Sequence, residues 1–140
     1  MTEINKISLS RKKYEIKDPD TVKKLQMDLK EYEVQLSSVK SDFHLYLKKA
    51  MTELFLGYAE KAIESAKQFL LIRDTCHLGW FILGCAYFDN NDFSNAKKAY
   101  ENALANNPAD ANSPEDIRIL NDIFENLKLI ELLESQERKL

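Results

Sequence analysis

The stretch HLGWFILGCAYFDNNDFSNAKKAYENALANNPAD, residues 77–110, decides the fold. Its apolar side chains follow helical spacing over two short segments, about 78–90 and 94–106, parted by Asn90-Asn91-Asp92. Asparagine is second only to glycine at a left-handed backbone position, so Asn91 suits the turn between them. Pro108 stops the second segment. Gly84, Ala96 and Ala103 are small enough to let two helices approach closely, while Trp80, Leu83, Tyr87 and Tyr100 fill the space around them. Each large side chain so buried contributes roughly 1.5–3 kcal/mol. A bulky residue at Gly84 is therefore expected to damage the fold more than any surface change.

Shifted by 34 positions, the pattern reappears upstream: Tyr46 falls on Trp80, Leu47 on Phe81, Ala50 on Gly84, Leu54 on Phe88, Ala62 on Ala96, Ala66 on Tyr100 and Leu70 on Leu104. A helix–turn–helix unit of about 34 residues has the length of the tetratricopeptide repeat. The unit 77–110 resembles that family closely. Trp80, Leu83, Gly84 and Tyr87 match the core of its first helix, Ala96, Tyr100 and Ala103 the face of its second, and Pro108 its closing proline. The unit 43–76 is degenerate. It keeps Tyr46, Ala50, Gly57, Ala62 and Leu70, but Lys49 and Glu53 stand where Leu and Tyr are expected and Asp74 replaces the proline. A third unit from Ala111 fails the pattern, because Pro114 sits where the bulky aromatic belongs.

Working outward, Asp18-Pro19 reads as a helix start, and Val22, Leu25, Leu29, Tyr32, Leu36 and Val39 recur in steps of three and four. Ser37, Ser38, Ser41 and Asp42 interrupt the run, which favours two helices, about 19–37 and 42–56, over one rod. The stripe fits an antiparallel pair within the chain or, alternatively, an intermolecular coiled coil. Gly57 ends the second helix, and the next runs from about Ala59 to Ile72. Downstream, Ser113-Pro114-Glu115-Asp116 opens a last helix to about residue 136, with Ile117, Leu120, Phe124, Leu127 and Ile130 as its apolar stripe. It reads as the cap that a repeat stack needs over its final face. The expected organisation is a flexible or peripherally docked tail, 1–17, ahead of one helical domain, 18–140. That domain is all-α: a short right-handed helical-repeat solenoid of about six antiparallel helices.

Composition agrees. The chain has 140 residues, enough for one core, with 44% hydrophobic and 31% charged residues. Three Gly and three Pro supply too few tight turns for a sandwich or barrel. A net charge of −3 offers no basic field for a nucleic-acid backbone. No apolar run is long enough for a membrane span, the first residues do not read as a leader, and two cysteines are too few for a disulfide framework, so a cytoplasmic location is expected. His44, His77, Cys76 and Cys85 match no zinc spacing, and neither a phosphate loop nor a nucleophile elbow is present. No catalytic residue, cofactor or metal is expected.

Similarity to the family implies a protein-binding role, with a partner segment laid in the concave groove lined by first helices. Carried over residue by residue, that groove comprises His44, Leu47, Met51, Leu54, Phe55, Leu78, Phe81, Cys85, Phe88 and Asp89. Family members that clamp acidic chaperone tails use Asn and basic residues there; here Met51 and Cys85 replace the Asn, and Leu47 and Phe81 stand where a basic residue would serve, which argues against that ligand class. The expected ligand is instead a hydrophobic helix or extended peptide of another protein, held by a small adaptor or chaperone. The alternative is a self-associating subunit, such as a homodimer, whose groove is filled by helix 19–37 or by a second copy. On this reading Phe81→Glu or Phe88→Glu abolishes partner capture and leaves the fold intact.

Overall fold

A computed structural model describes residues 12–39, 42–107 and 112–139. Among them the chain forms six helices: α1 (Pro19–Ser38), α2 (Phe43–Phe55), α3 (Ala59–Ile72), α4 (His77–Asp89), α5 (Phe93–Ala105) and α6 (Pro114–Lys139). The starts follow local chemistry. Asp18 caps α1 by accepting from the Thr21 amide at 3.0 Å and the Thr21 hydroxyl at 2.6 Å, with Pro19 at the first position. These bonds hold the Asp18 carboxyl below its ordinary range, the hydroxyl being the larger cause. Asp92 caps α5 through the Asn95 amide, and the Ser113 hydroxyl accepts from the Asp116 amide at the head of α6. The turns fall where the sequence places them: Gly57 has φ +82° and Asn91 φ 61°.

Neighbouring helices pack as sequential hairpins, α2 with α3 and α4 with α5, joined through the α3–α4 contact. Helix α1 lies on α2, while α6 lies on α5 and α4. α2 also touches α4, so these two first helices stand side by side and form one face of the stack. The seams are made of small residues, as the spacing requires. Ala50, Ala62, Ala66, Ala86 and Ala96 are fully buried, and the Gly84 backbone rests on the Tyr100 ring.

The degenerate unit packs by different means. Glu53 is 1% exposed, and its carboxylate accepts from the Lys49 ammonium at 2.9 Å and the Ser65 hydroxyl at 2.6 Å. Lys49 also donates to Ser65 at 3.1 Å. The Leu/Tyr pair of the repeat pattern is thus replaced by an ion pair whose polar atoms are satisfied between α2 and α3.

Helix α6 departs from expectation in phase. Of the expected stripe, Ile130 is buried and Leu127 packs against the core, but Ile117 and Phe124 are 48% and 57% exposed, and Ile123, Asn126 and Leu133 are buried in their place. Two apolar stripes overlap on this helix, and the one interrupted by Asn126 turns inward. The expected tail 1–17 is described only from residue 12; its first eleven residues lie outside the described part. Residues 12–17 cross the ends of α2 and α4 as a hydrogen-bonded strap that turns at Lys13 and Tyr14. No helix among the described residues is long and apolar enough to cross a membrane.

Candidate functional site

A cleft of about 270 Å³ opens between the α2–α4 face and α6. One wall is apolar, made of Met51, Leu54 and Phe55 from α2 with Leu78, Phe81, Ile82 and Cys85 from α4. The opposite wall carries Glu115, Arg118, Ile119 and Asp122 of α6, and Tyr14 closes one end. Six of the ten groove residues expected from sequence therefore meet in one cleft. Leu47 and Phe88 pack in or against the core outside it, and His44 is solvent-exposed with its ring centroid 4.2 Å from that of Phe43. Asp89 is buried and takes another part, described below.

Burial changes what several of these residues can do. Phe81 is 7% exposed and Phe88 6%, so both belong to the core. A glutamate at either site strands a charge in apolar surroundings, and the expectation that such variants fold normally is corrected. Cys85 is fully buried, receives the Tyr100 hydroxyl at 3.6 Å, and its thiol is pushed up to about 12 by burial. It is a packed side chain with no thiolate character. Among the described residues no cluster of His, Cys, Asp or Glu side chains could hold a metal ion.

The closed end is polar, and it is held by the chain itself. The Asp89 carboxylate accepts the backbone N–H of Lys13 at 2.8 Å and that of Tyr14 at 3.1 Å. Burial pushes the Asp89 carboxyl up to about 6; the two amides and the ammonium groups of Lys12 and Lys13 oppose that rise. Further along, the Ile16 amide donates to the Phe55 carbonyl at 2.8 Å, and the Lys12 ammonium donates to the Gly57 carbonyl. A side chain at Gly57 would also meet the Glu15 carboxyl, its Cβ lying 2.7 Å from that group's carbon. Glycine there serves both the turn and the passage of the strap.

Asn126 of α6 organises the rest. It has no exposed surface, and its amide donates to the Tyr14 hydroxyl at 2.7 Å and the Tyr100 hydroxyl at 2.9 Å. Its carbonyl accepts the Lys13 ammonium at 2.6 Å, so every polar atom of the side chain is used. The Tyr14 hydroxyl lies 3.5 Å from Asp122, and Lys13 reaches Glu125 at 3.2 Å. Burial raises the phenols of Tyr14 and Tyr100 far above their ordinary value, so both remain neutral hydrogen-bonding groups. Sequence reasoning missed Lys13, Tyr14, Asp122 and Asn126. The available signals were an aromatic and an aliphatic residue in a polar tail, Tyr14 and Ile16, and an asparagine at helical spacing from Ile123, Ile130 and Leu133.

With Gly84 against Tyr100, Asn91 in the left-handed turn and Ala96 and Ala103 on the buried seam, α4 and α5 carry the repeat pattern; its closing Pro108 lies outside the described residues. The family model of the tetratricopeptide repeat matches residues 77–110. This unit is a tetratricopeptide repeat. Such repeats are in general protein–protein interaction modules and usually non-catalytic. No curated protein and no solved structure is a significant match to the chain. Around the repeat lies a second hollow of about 580 Å³, between α3 and α5, floored by Trp80, Leu83 and Tyr87 and edged by the 78%-exposed Leu71. Its lining is also mixed, with Glu64, Lys67, Asn95 and Lys98 among it; the cleft beside α6 is the better candidate site because six of the ten expected groove residues meet there.

Proposed function

We propose that the chain is a cytoplasmic protein–protein interaction module, a small adaptor or chaperone, that receives a segment of a partner protein in the cleft between α2, α4 and α6. One observation carries this reading: a non-helical stretch of polypeptide, residues 12–17, already lies at the end of the cleft, turning at Lys13 and Tyr14 and bonded through its backbone to Asp89 and Phe55. A surface that satisfies the backbone amides of a non-helical chain beside an apolar wall has the two components of peptide recognition, affinity from the main chain and selectivity from pockets. The test is a photo-crosslinking amino acid placed at Met51, half-buried in the cleft, against one at Glu101, exposed on α5. In host extract the expected result is a polypeptide adduct at Met51 and none at Glu101. Adducts at Glu101 alone overturn the assignment of the cleft.

A self-associating subunit is the second reading, and the outer helices favour it. Met27 and Val34 on α1 are 66% and 64% exposed, one heptad apart, and Phe124 on α6 is 57% exposed. No residue of α1 lines the cleft, so in this reading the faces that meet are those of the end helices. Light scattering is expected to give a dimer that Met27→Glu with Phe124→Glu converts to monomer. A monomeric wild type at high concentration removes this reading.

A further inference from the structure

The polar end of the cleft has a selectivity that can be read from the segment filling it. The amides of Lys13, Tyr14 and Ile16 donate to Asp89 and to the Phe55 carbonyl, contacts open to any residue except proline. Two side chains add the discrimination. The Tyr14 hydroxyl accepts from buried Asn126, and an occupant without an oxygen there leaves that donor unpaired. The Lys13 ammonium meets the Asn126 carbonyl and Glu125, while Asp122 lies 3.5 Å from the Tyr14 hydroxyl. A cation is thus matched to an acidic rim, and a hydroxyl to a buried amide one residue later.

We propose that this end of the cleft is a recognition site for a partner segment that turns at a basic residue followed directly by tyrosine, and that the chain's own Lys13–Ile16 occupies it until displaced. The proposal rests on the cleft reading above and names its ligand. Because the strap is tethered, it competes at high effective concentration, and affinity for a segment supplied from outside falls with the fraction of molecules whose site is vacant. Lys12 and Lys17 are exposed, whereas Tyr14 packs against the core, so a partner segment that displaces the strap must refill the same buried contacts.

The experiment uses a fluorophore-labelled peptide copying residues 11–18, titrated by anisotropy into the full chain. Two strap variants are compared with wild type: Lys13→Ser combined with Tyr14→Ser, and Ile16→Pro, which removes only the donor to Phe55. Both are expected to bind the peptide at least about tenfold more tightly than wild type. A peptide carrying Lys13→Glu or Tyr14→Ala is expected to lose that binding, as is any peptide with proline at position 13, 14 or 16. The proposal is overturned if variants of native helical content fail to bind the peptide, or if a scrambled peptide binds equally well. In that event an adduct at Met51 still supports the cleft as a partner site, and its absence removes both readings, so the two failures are told apart.

Discussion

Replacing Gly84 by alanine tests the packing on which the stack depends. A Cβ at this position lies 2.6 Å from both Cδ1 and Cε1 of Tyr100, about 1 Å inside the optimal contact distance between carbon atoms. The ring has nowhere to retreat. Tyr100 is fully buried, its hydroxyl is fixed by Asn126 at 2.9 Å and Cys85 at 3.6 Å, and its centroid lies 6.3 Å from that of Phe81. Helices α4 and α5 must therefore separate, and overpacking of this kind costs about 1–3 kcal/mol. Against it stands the gain of about 1 kcal/mol that alanine brings to a helix interior over glycine. The net expectation is a loss of up to about 2 kcal/mol, read as a lower urea midpoint followed by far-UV circular dichroism and Trp80 fluorescence. Helix propensity alone gives the opposite sign, a gain of about 1 kcal/mol. A Gly84→Ala chain more stable than wild type by that amount refutes the close approach of the two helices.

Two other perturbations have outcomes fixed by the structure. Lys49→Ala strands the Glu53 carboxylate between α2 and α3 and is expected to cost about 3 kcal/mol, whereas Lys49→Leu with Glu53→Leu returns stability to within about 1 kcal/mol of wild type; equal urea midpoints for wild type and Lys49→Ala would contradict the buried pair. Asp89 is raised from 3.8 to about 6 in the folded chain, so the fold binds its proton more tightly than the unfolded chain does. Its contribution to stability is full below about pH 4 and is lost as the pH rises through about 6. Wild type is expected to lose stability relative to Asp89→Asn over that interval, and parallel curves would show that burial does not raise this carboxyl.

The helices and their pairing were legible because one unit keeps the repeat's small and large residues in register. Gly84, Ala96, Tyr100 and Ala103 occupy the seam that their spacing implies. The site was legible only in part. Positions carried over from the repeat located the apolar wall, but they could not say how deep each side chain sits: Phe81 is core at the floor of the cleft that α6 and Tyr14 close, beside Tyr100, and Phe88 is buried against Phe93 of α5. The strap itself contributes few apolar groups and holds on through backbone amides, which leave no periodic trace in a sequence. Asn126 was hidden for a related reason. A polar residue inside an apolar stripe makes the neighbouring stripe look like the buried one, and only the partners Tyr14, Tyr100 and Lys13 explain why it faces inward.

Amide hydrogen exchange of Lys13, Tyr14 and Ile16 bears most directly on a cleft that holds non-helical polypeptide through its backbone. The expected result is exchange at least about tenfold slower than in a free peptide at all three positions, with protection of Lys13 and Tyr14 lost in Asp89→Ala while the amides of α4 keep theirs. Free-peptide rates at these residues in the wild-type chain would contradict it.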